Sequence, residues 1–194
     1  MRKAGSTEKI YGIGFIGVGN YKSRNKTGHT KAYNAWAAML QRCYDSKLHL
    51  RNPTYKECSV IEEWYNFQNF AGWFEKNYID GYQLDKDLLI KGNKIYSPET
   101  CCFVPKEINL ILGKPTRKRE YPVGVSKFRN KFVTHVRIEN KQHHMGMFDT
   151  IEDAFLVYKT IKERNIKHLA ETYKHTINES LYKVLINYSI NMTV

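Results

Sequence analysis

Within twenty residues, Leu84 to Phe103, the chain sets Asp85 and Asp87 on either side of Lys86, then a Gly92-Asn93 turn, a Ser97-Pro98-Glu99 run and an adjacent cysteine pair, Cys101-Cys102. On a strand, residues i and i+2 share a face, so Asp85 and Asp87 would stand together with Lys86 on the opposite side, packing or meeting a phosphate. Two carboxylates can hold a hard cation such as Mg²⁺, and a carboxylate with a raised pKa can take a proton from water. That is the chemistry of metal-assisted phosphodiester hydrolysis. The same three residues also suit a buried salt-bridge and turn network that only holds the hairpin together.

Charge placement says what such a hairpin would meet. Residues 1–35 hold seven Lys or Arg against one Asp or Glu, and residues 113–150 hold nine against three. Between them, residues 36–112 are almost balanced, nine against ten. Two basic blocks around a neutral middle attract polyanions by releasing condensed counterions, and nucleic acid is the commonest intracellular polyanion. Lys22, Arg24 and Lys26 belong to the first block, and Lys114, Arg117, Lys118 and Arg119 open the second.

The elements that must position these groups follow from periodicity. With 194 residues, 42% of them hydrophobic, and 14 Tyr, 9 Phe and 3 Trp, the chain can fill one large core or two small ones. No apolar run approaches the ~18 residues that span a bilayer. The start "MRKAGSTEKIYGIGF" lacks the apolar stretch of a signal peptide, so a cytoplasmic protein is expected. Cys43, Cys58, Cys101 and Cys102 are then thiols. No Cys-x-x-Cys knuckle is present, which favours buried thiols over a four-thiolate zinc site.

"KIYGIGFIGVGNY" reads as a bent strand or hairpin, and "KSRNKTGHTK" (residues 22–31) as a mobile polar loop. Tyr33, Trp36, Ala37, Leu40, Cys43 and Tyr44 recur with helical spacing, predicting a helix over about 32–45. Trp64, Phe67, Phe70, Ala71 and Phe74 form a second stripe, read as core. "YQLDKDLLI" reads as a strand, "KGNK" as a turn and "SPET" as a helix start capped by Ser97. A further helix is expected from about Pro105 to Leu112, followed by a basic linker over 113–121.

Three β-prone runs then occupy "PVGVSKF", "KFVTHVRIE" and "KQHHMGMF", with Phe132, Thr134, Val136 and Ile138 on one face of the second. Asp149 or Thr150 caps a helix bearing Ala154, Phe155, Tyr158 and Ile161, and a short helix is expected around Leu181, Val184, Leu185 and Tyr188. One helix covers one face of such a sheet and leaves the other to solvent.

The segment from Tyr121 to Ile161 resembles the Apetala/ethylene-response-factor type of DNA-binding domain. The resemblance rests on Gly124-Val125, Lys131-Phe132, the Met145-Gly146-Met147-Phe148 turn and the "EDA" helix after Thr150. It implies a sheet lying in the major groove of double-stranded DNA, with Ser126, Arg129, His135, Arg137, Gln142 and His144 facing the bases and Lys127 and Lys131 reaching phosphates. Ser126 and His135 stand where that family usually has arginine and glutamate.

The segment from Tyr33 to Asn109 resembles a phage-encoded family of HNH (His-Me finger) homing-endonuclease-like proteins, through "LDKDLL", "GN", "YSPETC", "FVP" and "EIN". It implies a ββα finger around one Mg²⁺ or Mn²⁺, with the base position at Asp85-Lys86, Asp87 and Asn109 completing the metal site with Asp85, and Asn93 or Thr100 as the turn amide. No histidine lies between His49 and His135, so this finger has none.

The expected fold is α+β: a His-Me-finger-like core with flanking helices over 1–112, a linker over 113–121, a three-stranded antiparallel sheet on one helix over 122–175, and a tail over 176–194. The expected function is sequence-preferring binding of duplex DNA by a phage-type protein acting in the host cytoplasm, with endonuclease activity as the candidate chemistry. Its alternatives are a catalytically inactive DNA-binding regulator and an inhibitor gripping a host nucleic-acid enzyme.

Overall fold

The computed structural model describes residues 9–113, 119–138 and 141–192, and the chain divides between Val104 and Pro105 into two units. Lys114, Arg117 and Lys118 lie outside the described residues.

In the first unit the basic stretch forms a tight hairpin, β1 (Arg24–Asn25) with β2 (Gly28–His29), rather than the mobile loop expected. Asn25 Oδ1 closes its turn by accepting from Thr27 N and Oγ1. Thr30 caps α1 (Lys31–Tyr44), and Asp45 caps α2 (Ser46–Arg51) by accepting from the N–H groups of Lys47 and Leu48. β3 (Ser59–Val60) follows, then α3 (Phe67–Asn77), capped by Asn66. Trp36, Met39 and Leu40 of α1 are wholly buried with Phe67 and Phe70 of α3, so the aromatic stripe is core. The buried indole of Trp36 donates to the Trp64 carbonyl at 2.6 Å. The glycine-rich N-terminal segment bends at Ile10–Gly14, and Phe15 bridges to Asn66.

The strand expected over "YQLDKDLLI" is short: β4 covers only Gln83–Asp85. β5 (Ile95–Tyr96) runs parallel to β3, and β6 (Cys102–Val104) pairs antiparallel with β4. The helix expected at "SPET" does not form. Ser97 and Thr100 hydroxyls bond each other, and Thr100 Oγ1 donates to the Ile95 carbonyl, so the segment makes one turn. The chain then re-enters the sheet, because residues 101–104 are buried on both faces.

The second unit begins with α4 (Lys106–Leu112), which packs on α5 (Ile151–Thr172). Between them in the chain lies the antiparallel sheet β7 (Val125–Phe128), β8 (Lys131–Ile138) and β9 (Lys141–Phe148), in that order. Val125, Val136, Ala154, Phe155 and Tyr158 form its core with Phe132, Ile138 and Phe148. Thr134 is fully buried and donates to the Ala154 carbonyl at 2.6 Å. Thr150, the second of the two capping candidates, accepts from Asp153 N to start α5. α6 (Glu179–Ile186) buries Leu181 and Leu185 against α5. An α+β chain with this sheet on one long helix matches the expectation.

Gly124 has a φ of +86°, and a methyl group there would run into the Tyr158 ring. Gly124→Ala therefore adds backbone strain to overpacking. It should destabilise the second unit by about 2 kcal/mol or more, read as faster amide exchange along β8 while fluorescence of the three tryptophans, all in the first unit, stays unchanged.

Candidate functional sites: the aspartate hairpin and the free sheet face

The aspartate hairpin is organised by its own side chains. Asp85 Oδ1 accepts from the N–H groups of Asp87 and Leu88, both at 2.8 Å. This local bond turns the backbone out of the ladder and ends β4. Asp85 and Asp87 are therefore not strand neighbours sharing a face, contrary to the expectation. Asn93 uses its amide hydrogens inside the loop, donating to the carbonyls of Lys86 at 2.7 Å and Ile95 at 2.6 Å.

Lys86 turns inward and is only 8% exposed. Its ammonium donates to the Asn93 carbonyl at 3.2 Å, lies 3.7 Å from Asp87 Oδ1 and sits over the Tyr96 ring. A buried ammonium persists only with such partners, and here it is the cation the hairpin already contains. Buried as it is, it is not presented to a phosphate.

These residues do not fit a divalent ion. One Asp85 oxygen is taken by two N–H groups, Asp87 faces an ammonium and Asn93 is spent on carbonyls; Asn109 belongs to α4. Among the described residues no three or more His, Cys, Asp or Glu side chains cluster.

Burial raises the Asp85 carboxyl above the ordinary aspartate range, against the opposing effect of its N–H bonds. Arg42, which sequence periodicity did not single out, lies against the Tyr96 hydroxyl and stacks on Tyr55. Its place as the basic residue in the last turn of α1, beside Cys43, was the available signal. All four cysteines are free and buried. Burial pushes the thiols of Cys43 and Cys101 up to about 12 and raises those of Cys58 and Cys102, so they are neutral and unreactive.

The sheet of the second unit presents a different surface. Cross-strand partners share a face, and the register pairs Arg137 with Gln142, His135 with His144, and Ser126 and Met147 with Val133. All of these lie opposite the face that α5 covers. Five of the six expected base-facing residues thus come together: Ser126, His135, Arg137, Gln142 and His144. The sixth, Arg129, sits in the β7–β8 turn with a φ of +54°, its guanidinium over the Phe128 ring.

Lys131 shares the free face and pairs with Asp149 at 2.8 Å, whereas Lys127 lies in register with Phe132 on the helix side, exposed. Phe128 and Met147, each 56% exposed, were missed; alternation along β7 marks Phe128, whereas Met147 shares the face of His144 only through the register shift between them. Arg119, Lys22, Arg24 and Lys26 lie at the surface of their own units.

The raised Asp85 carboxyl has a definite pH signature. The folded state binds this proton more tightly than the unfolded state, so the penalty that Asp85 itself imposes on folding shrinks as pH falls from neutral toward the ordinary aspartate value of about 4. Asp85→Asn keeps the accepting oxygen without the buried charge, so it should be neutral or stabilising at pH 7, with that advantage shrinking at lower pH. Asp85→Ala loses both N–H bonds and should cost about 1–3 kcal/mol. Urea unfolding followed by tryptophan fluorescence at pH 7 and pH 5 checks both.

No protein-family model, curated protein or solved structure matches this chain.

Proposed function

We propose that this chain binds double-stranded DNA through the free face of its C-terminal sheet, and that the aspartate hairpin is a structural node rather than a hydrolytic site. The observation that carries this reading is the register that sets Arg137 beside Gln142 and His135 beside His144 on the face opposite α5. Three strands about 4.8 Å apart make a slab roughly 10 Å across, which suits a major groove about 12 Å wide. Arginine pairs with guanine O6 and N7, glutamine with adenine N6 and N7, and Met147 and Phe128 offer apolar contact to thymine methyls. Lys131, Arg129, Arg119 and the basic hairpin of the first unit supply charge for phosphates.

A second reading, a His-less endonuclease, is favoured by one observation: burial raises the Asp85 carboxyl toward the range of a general base. The order of β4, β6 and α4 along the chain also follows the ββα order of a His-Me finger. The poor fit of its residues to a cation weighs against it.

Fluorescence anisotropy with duplex DNA tests the first reading. Affinity should fall steeply between 50 and 200 mM salt. Arg137→Ala combined with His144→Ala should cost about 1–3 kcal/mol for each base no longer read on a selected sequence, and far less on random duplex. Salt-independent binding would overturn the phosphate contacts, and an equal loss on both DNAs would make these residues backbone contacts rather than base readers; absence of duplex binding would overturn the reading and favour an acidic protein partner. Plasmid incubated with Mg²⁺ or Mn²⁺ should stay uncut; cutting abolished by Asp85→Ala would establish the endonuclease.

A further inference from the structure

His135 and His144 are direct cross-strand partners on the free face of the sheet, half-buried and exposed respectively. His135 N donates to the Gly124 carbonyl on the β7 side, at 2.9 Å. Toward β9, then, His135–His144 is a non-hydrogen-bonded pair, the antiparallel position where facing side chains approach most closely. Their ring centroids are 5.4 Å apart, with the planes tilted by 59°.

That separation has a chemical meaning. An imidazole nitrogen binds zinc at about 2.0–2.1 Å, which puts each ring centre roughly 3.2 Å from the ion; at a tetrahedral angle two such rings lie about 5.2 Å apart. The observed spacing matches that geometry once a ring nitrogen of each imidazole is turned toward the ion.

The β-bulge supports the arrangement. Thr134 faces Gly146 while His135 faces His144, so Met145 is the extra residue. The bulge restores His144 to the free face; without it, strict alternation would turn the imidazole under the sheet. His143, in register with Val136, belongs to the helix side and cannot join.

We propose that His135 and His144 form a two-imidazole site for a borderline divalent cation of the zinc class, clamping β8 to β9 across the bulge. Imidazole selects zinc, nickel or copper over magnesium. The remaining coordination positions are filled by water, with the Gln142 amide oxygen on the next pair within the same face. The site stands on sheet register alone and does not rest on the DNA reading.

Calorimetric titration of the full chain with zinc chloride, in a buffer that does not chelate, tests this. One saturable site is expected, undisturbed by millimolar Mg²⁺. His135→Gln or His144→Gln should each weaken it at least about tenfold, since even groups that merely support metal ligands are worth that much, while His143→Gln should leave it unchanged. Zinc should also slow amide exchange in β8 and β9 of the wild type and not of the two glutamine variants. Absence of saturable binding, binding that survives both variants, or equal weakening by His143→Gln would overturn the site. The exchange measurement also verifies that each variant keeps its sheet.

Discussion

The hydroxyl of Thr134, at the centre of β8 and without solvent exposure, donates to the Ala154 carbonyl in the first turn of α5. This single polar contact inside an otherwise apolar layer fixes where the helix crosses the sheet, because a buried hydroxyl without a partner costs more than it contributes when bonded. Around it, Val125, Val136, Phe155 and Tyr158 close the core, and Gly124 gives the Tyr158 ring its place. A helix laid on one face of three strands leaves the other face open. What the second unit can bind follows from that asymmetry.

The open face is chemically graded along the strands. At one end stand Phe128 and Lys131, then Ser126 and Met147 on either side of the buried Val133, then the two histidines, and finally Arg137 with Gln142. Apolar and hydrogen-bonding groups are thus ordered rather than scattered; on the reading proposed above, that order would let the face distinguish one base sequence from another, and the basic blocks would add attraction without discrimination.

The first unit solves a different problem. Its hairpin carries a carboxylate, an ammonium and an amide into a partly dry environment, and each is satisfied locally: Asp85 by two N–H groups, Lys86 by a carbonyl, a carboxylate and a ring face, Asn93 by two carbonyls. Groups so committed hold a loop well and are poorly placed to exchange ligands during a reaction. The two roles open to "LDKD" differ in this respect, and the geometry favours the network.

Periodicity alone determined α1, α3, α5 and α6, the three strands of the C-terminal sheet and their apolar face, since repeats of 3.6 and 2 residues report burial directly. The cap at Thr150 was legible for the same local reason. Tertiary structure decided the rest. Asp87 reads as a strand residue until the Asp85 carboxylate captures its N–H and that of Leu88, and "SPET" reads as a helix start until residues 102–104 are drawn into pairing with β4. The bulge at Met145, which aligns His135 with His144, is set by the pairing between strands and sits beside Gly146, whose φ of +131° suits glycine. Local sequence carries propensity; which of two satisfied arrangements wins depends on partners far away in the chain.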